Sequence, residues 1–209
     1  MKAKLIGYVT PKQAVQLYPE TDQSIPAHYA RAYAYHLGAY PDKAEREADA
    51  LLATAPNDPF FLELKGQILL EGGKPSQAIA PLRKAVASAP DMPMIAVMLG
   101  HALIASEKPE YFAEAKKVLK NAVNRDNDNP FAWYQLGIVY DREGDQARAA
   151  LATAERNNLE GRNKLALASA KMAMAGLPAG SPDYLRAQDI AMVSEEAVKK
   201  DKNKGEREQ

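Results

Sequence analysis

The sequence predicts an all-α protein, a solenoid of about four helix-turn-helix repeats closed by capping helices. Three observations predict it. Ala is abundant and β-branched residues are few among the 209 residues, which favours helix throughout. The stretch Asp128–Tyr140, DNPFAWYQLGIVY, holds the only Trp, and Trp133, Leu136, Gly137 and Tyr140 fall at i, i+3, i+4 and i+7 on one helical face. The same pattern recurs upstream: Pro59, Pro93 and Pro130 stand 34 and 37 residues apart, and Gly66, Gly100 and Gly137 follow the same steps, with Ala32 one step earlier.

Taken in order, residues 1–24 are a lead-in. Lys2–Tyr8 shows no clear period, and Thr10-Pro11 starts a short helix, capped by Thr10, that runs to about Tyr18. This preface is expected either to fold over the first repeat as a cap or to be the remains of a connection to something upstream. Repeat one (25–58) has helices near Pro26–Leu37 and Lys43–Ala55, with Asp42 as the expected cap of the second. Repeat two (59–92) opens on the cap and first-position pair Asp58-Pro59, and Gly72-Gly73 ends its first helix. Repeat three (93–129) carries three extra residues around Ser106–Phe112, which Pro109 places in the loop between its helices. Repeat four (130–163) opens on Asn129-Pro130 and breaks at Gly144. Residues 164–194 are C-terminal capping helices, the last capped by Ser181. The charged stretch 195–209 is expected to be a disordered tail.

Pro-x-x-Trp-x-x-Leu-Gly-x-x-Tyr resembles the opening of a tetratricopeptide (TPR) repeat. A second small position, Ala44, Ala78, Ala115 and Ala149, fits the same frame; a third, Ala85 and Ala122, is broken at the ends by Leu51 and Arg156. Paired helices approach closely only where a side chain is no larger than a methyl group. Leu at Gly137 or Ala149 should therefore overpack the pair by about 1–3 kcal/mol.

Composition narrows function. Lys plus Arg and Asp plus Glu each number 27, a formal balance of zero, which argues against nucleic acid or an anionic membrane as partner. No apolar run is long enough for a membrane span, Met1–Val9 is too short and polar for a signal peptide, and there is no Cys. No cofactor or metal motif occurs. His28, His36 and His101 have no carboxylate at metal-ligand spacing and read as surface or groove residues; Glu45 with Asp49 reads as a solvated helix face.

The expected activity is binding of protein or peptide segments of apolar or aromatic character. In the TPR frame, first helices line a groove through the second, fifth, ninth and twelfth positions of each unit. These are Tyr29, Tyr33 and His36; Phe60, Glu63 and Gln67; Met94, Val97 and His101; and Phe131, Tyr134, Ile138 and Asp141. Roughly half are expected to be inter-repeat core. No Lys or Arg occurs among them, so the TPR class that clamps a C-terminal carboxylate is disfavoured. Replacing Tyr33 and Tyr134 with Ala is expected to weaken binding while leaving the helical signal intact.

TDQSIPAHYARA (Thr21–Ala32), NDPFFLELKGQIL (Asn57–Leu69), NPFAWYQLG (Asn129–Gly137) and LATAER (Leu151–Arg156) resemble the C-terminal TPR region of BepA-type bacterial envelope proteins, in which an HExxH zinc peptidase precedes a TPR domain. The lead-in KAKLIGYV resembles the join between the two parts. The zinc ligands and catalytic Glu of that family map to no residue here. The resemblance implies a periplasmic, non-catalytic, substrate- or partner-binding domain. Its partners would be the upstream peptidase domain and the outer-membrane protein assembly machinery, and its role quality control of outer-membrane proteins. The expectation is an excised domain of such a protein. The alternative is a free-standing scaffold for a secretion, pilus or envelope complex.

Overall fold

The computed structural model describes residues 2–207, without the side chains of 202–207. The described residues form α-helices joined by turns, with one short 3-10 segment. The order is α1 (Lys2–Val9), α2 (Pro11–Leu17), α3 (Ile25–Leu37), α4 (Pro41–Thr54), α5 (Pro59–Glu71), α6 (Pro75–Ser88), α7 (Pro93–Ala105), a 3-10 turn at Pro109–Tyr111, α8 (Phe112–Arg125), α9 (Pro130–Arg142), α10 (Gln146–Leu159), α11 (Asn163–Gly176) and α12 (Pro182–Arg207). The helices fall into two compact units, residues 1–107 and 108–209. The division lies in the segment read as the insertion of repeat three, where Glu107 takes a left-handed φ of 56° and Pro109 starts the 3-10 turn.

The chain starts its helices with proline and side-chain caps. Pro opens α4, α5, α6, α7, α9 and α12, where its missing N–H costs nothing. Asp58 accepts from the amides of Phe60 and Phe61 at 2.9 and 3.0 Å. Asn129 does the same for Phe131 and Ala132 at 3.0 and 3.1 Å, and Ser181 caps α12 through Tyr184 N–H at 3.2 Å. Two expected caps differ. Thr10 Oγ1 turns back to the carbonyl of Ile6 and makes no cap to α2. Asp42 lies inside the first turn of α4, because Pro41 begins that helix two residues before Lys43.

In the first unit, α3 pairs with α4 and α5 with α6, and α7 packs on α6. Buried Ala32, Ala44 and Ala48 let the first pair approach, with Leu51, Leu64 and Ile68 filling the space toward α5. Gly66 is the tightest point of the second pair: a Cβ there would lie 2.4 Å from Leu82 Cγ. In the second unit α9, α10, α11 and α12 pack in succession. Ala150, Leu151 and Ala154 of α10 meet Ala166, Ala170 and Ala173 of α11, and Ala187 and Ile190 of α12 complete the cluster. Gly137 is looser than its place in the frame suggests: a Cβ would meet Ala152 Cβ at an ordinary 3.5 Å.

Both ends of the chain are more regular than their sequence pattern suggests. Lys2–Tyr8, read as having no clear period, lies within helix α1. That helix runs along α3 with Gly7 against the Ala30 carbonyl, 2.4 Å from where a Cβ would stand. Ala3, Ala14, Ala30 and Ala34 form a common core under α1, α2 and α3. Residues 195–207, expected to be disordered, continue α12; the i,i+4 pairs Glu195–Lys199 and Glu196–Lys200 suit a helix. Residues 208 and 209 lie outside the described residues.

These contacts separate three glycines. Gly66→Ala should cost about 1–3 kcal/mol by displacing Leu82, whereas Gly137→Ala should be neutral or stabilise by up to ~1 kcal/mol through helix propensity. Gly7→Ala should release α1, read as loss of amide exchange protection over residues 2–9. Thermal unfolding of the three variants checks the order.

Candidate functional site

Burial and charge divide the groove row that the sequence predicts. Tyr33 is only 4% exposed, because α1 covers it: Tyr8 meets its ring edge-on at a centroid distance of 6.3 Å, and Lys4 Nζ lies 5.2 Å from the ring centre. Val97 is also buried. As placed, neither has surface to offer a partner, which corrects their reading as contact residues; Tyr33 to Ala would remove core. Tyr29 stays half-buried between Tyr33 and Phe61, its ring tilted 51° to each at centroid distances of 5.6 and 5.7 Å. Phe60 and Met94 are 42% and 56% exposed.

Further along the row of the first unit, His36 Nε2 lies 2.7 Å from Glu71 Oε2, and Gln67 Nε2 donates to Glu71 Oε1 at 2.9 Å. Burial pushes the His101 imidazole below its ordinary pKa, and the Glu71 charge opposes that shift. Glu63 is the reverse case: burial raises its carboxyl above the usual range, with the Lys4 charge working against it. No group of three or more His, Cys, Asp or Glu among the described residues is arranged to hold a metal ion.

In the second unit, Phe131 and Tyr134 are each 43% exposed, with ring centroids 6.3 Å apart. The Arg156 guanidinium stacks over Tyr134 at 4.8 Å. Ile138 is half-buried and Asp141 accepts from Gln146 Nε2 at 3.0 Å. Trp133, the residue that marks the repeat, is core: its Nε1–H donates to the Asn127 carbonyl at 2.8 Å, and Arg186 stacks on its ring while pairing with buried Glu155.

Sequence reasoning missed a buried polar cluster. Arg31 is 1% exposed and every arm of its guanidinium is used. Nε and Nη2 hold Glu47 at 2.8 and 2.9 Å, and Nη1 donates to the carbonyls of Pro19 and Asp22 at 2.8 and 2.7 Å. His28, read as a surface or groove residue, is buried, with Nδ1 2.6 Å from Glu47 Oε2 and 3.1 Å from Arg31 Nη2. The Glu45–Asp49 face is likewise engaged: Lys65 pairs with Asp49 at 2.8 Å, and Glu45 binds Lys65 and Lys74.

Comparisons with known proteins agree with this architecture. The tetratricopeptide repeat family model matches residues 29–93. The β-barrel assembly-enhancing protease of Yersinia pestis is 27% identical over 164 residues, 78% of this chain. The chain spans 33% of that relative's length. Among solved structures, YrrB, described as a TPR protein with an unusual peptide-binding site, superposes with a TM-score of 0.65 at 18% identity, covering 81% of this chain and 88% of that one. MamA from Desulfovibrio magneticus RS-1 gives 0.62 at 19%, covering 86% and 97%. A thermophilic TPR protein of Thermus thermophilus gives 0.57 at 21%, covering 81% and 100%. The fold is that of a TPR solenoid.

Two substitutions probe the charged groups. Arg31→Met leaves Glu47 with His28 alone and the Pro19 and Asp22 carbonyls without their donor, and should cost about 3–5 kcal/mol in urea unfolding. Glu63→Gln should stabilise the protein at neutral pH. A carboxyl whose pKa is raised on folding contributes most when protonated, and that contribution is lost as pH rises through the folded pKa. The difference between Glu63→Gln and the parent should therefore shrink as unfolding is followed down to about pH 4, where the unfolded carboxyl is also largely protonated.

Proposed function

We propose that this chain is the non-catalytic, partner-binding TPR domain of a periplasmic zinc metallopeptidase that acts in outer-membrane protein quality control. The likeness to the β-barrel assembly-enhancing protease supports this reading, as do the four sequence strings that resemble that family. Because the chain spans a third of that relative, hydrolysis is proposed for the whole protein and binding for this part. No helix among the described residues is long and apolar enough to cross a membrane.

The observation that carries the binding role is the exposed aromatic pair Phe131–Tyr134 on α9, edged by Arg156. Large aromatic groups with a neighbouring guanidinium are the side chains most often found to dominate interfaces. They suit an extended apolar segment of an incompletely assembled protein. The partners proposed are such segments, the peptidase domain, and the assembly machinery of the outer membrane.

Capture of an unfolded outer-membrane β-barrel protein by the immobilised chain tests the reading. Phe131→Ala/Tyr134→Ala should weaken capture at least tenfold, about 1.4 kcal/mol, without moving the thermal midpoint of the folded chain. Capture unchanged in the double variant would remove the aromatic pair from the site. Micromolar self-association with no capture would favour a scaffold instead.

A further inference from the structure

Beside the groove of the first unit lies a cavity of about 580 Å³, in the size range of ligand pockets. Its wall is aromatic and apolar: Tyr18, Tyr29, Phe60 and Phe61, with Ile25 and Pro26 at the start of α3. Three charged residues border it, Lys2, Lys4 and Asp58. Asp58 is already engaged, since one carboxylate oxygen accepts both the Phe60 and Phe61 amides as the cap of α5. Lys4 rests over the Tyr33 ring. Lys2 is exposed and forms no ion pair among the described residues. Asp58 keeps its charge and Glu63 lies within the field of Lys4, so Lys2 is the cation left for a ligand, at the edge of an open apolar pocket.

We infer that this pocket receives the C-terminal end of a peptide, its apolar last side chain against the aromatic wall and its terminal carboxylate toward Lys2 and Lys4. The inference rests on the proposed peptide-binding role and deepens it. A chain that ends in the pocket fits better than one that passes through. A continuing backbone brings no charge to meet the lysines, only further N–H and C=O groups against the apolar wall. The Phe60 and Phe61 amides that could have answered them are taken by Asp58. Tyr29 and Phe60 are both walls of the pocket and members of the predicted groove row, so a bound end leaves the rest of the peptide beside α3 and α5. The cations that the repeat positions lack are supplied here by α1, outside the repeats.

The test uses the full chain and a fluorescein-labelled hexapeptide ending in Leu-Phe, prepared as free acid and as C-terminal amide, followed by anisotropy. The free acid should bind at least tenfold more tightly than the amide. Lys2→Gln/Lys4→Gln should reduce that preference to less than threefold, and Lys2→Arg/Lys4→Arg should retain it; circular dichroism checks that all three proteins are folded. Equal binding of acid and amide would overturn the pocket inference and leave the proposed function standing. Binding of neither peptide by the folded protein, with capture of unfolded protein also absent, would overturn both. A hexapeptide with internal Asp-Phe and an amidated end that matches the free acid would assign the pocket to side-chain carboxylates instead. Micromolar binding of dodecanoate that the free acid does not displace would assign it to a lipid.

Discussion

How near two helices can lie is set by the smallest residues on their facing surfaces, and the rest of this structure follows from that limit. Gly66 lets α5 come onto Leu82, and Ala44 and Ala48 let α4 come onto α3. In the second unit Ala150 and Ala154 meet Ala166, Ala170 and Ala173. Such interfaces carry little apolar area per residue, so the larger residues must fill the space between pairs, and Leu51, Leu64 and Ile68 do so in the first unit. No single pair encloses a core, which is why the repeats stabilise one another as neighbours. Helix α1 docks by the same rule: Gly7 brings it onto the Ala30 carbonyl, so the chain's first helix packs as though it were a further repeat helix.

Charge acts on top of this packing where it is buried. The exposed pairs on α12 contribute little, because water screens them and long side chains lose entropy. Arg31 is different. Its two bonds to Glu47 join α3 to α4, and its bonds to the carbonyls of Pro19 and Asp22 fix the turn that leads from α2. Backbone carbonyls in a tight turn need donors, and one guanidinium supplies them. The position of α2, and with it Tyr18 in the pocket wall, therefore depends on a residue that touches no ligand. Glu63 is the opposite case. It is half-buried without a comparable partner, and its raised pKa reflects the cost of holding a charge there.

Much of the fold was legible because the limiting residues repeat. Gly66, Gly100 and Gly137 kept their period, and the caps Asp58 and Asn129 stood before proline. The period could not distinguish Gly66, where a Cβ clashes, from Gly137, where it fits, since the difference lies in Leu82 opposite one and Ala152 opposite the other. Helix α1 was hidden because eight residues that include a Gly carry no reliable period. The Arg31–Glu47–His28 cluster was hidden because its members pair across 16 and 19 residues and belong to no motif. The terminal helix was hidden because composition sees the charges of the tail but not the i,i+4 order of Glu195–Lys199 and Glu196–Lys200.

The groove row failed in an instructive place. Repeat positions describe a unit packed between other repeats, and repeat one packs against α1 instead, which covers Tyr33. A helix of this kind is not bound by the repeat frame, so it can bring residue types that the frame excludes. Here it brings Lys2 and Lys4 to a row that reads, in the repeats alone, as devoid of cations. The absence of Lys and Arg from the repeat positions therefore says little about the ligands of a repeat that a helix outside the frame covers. Their charge is decided in part by that helix.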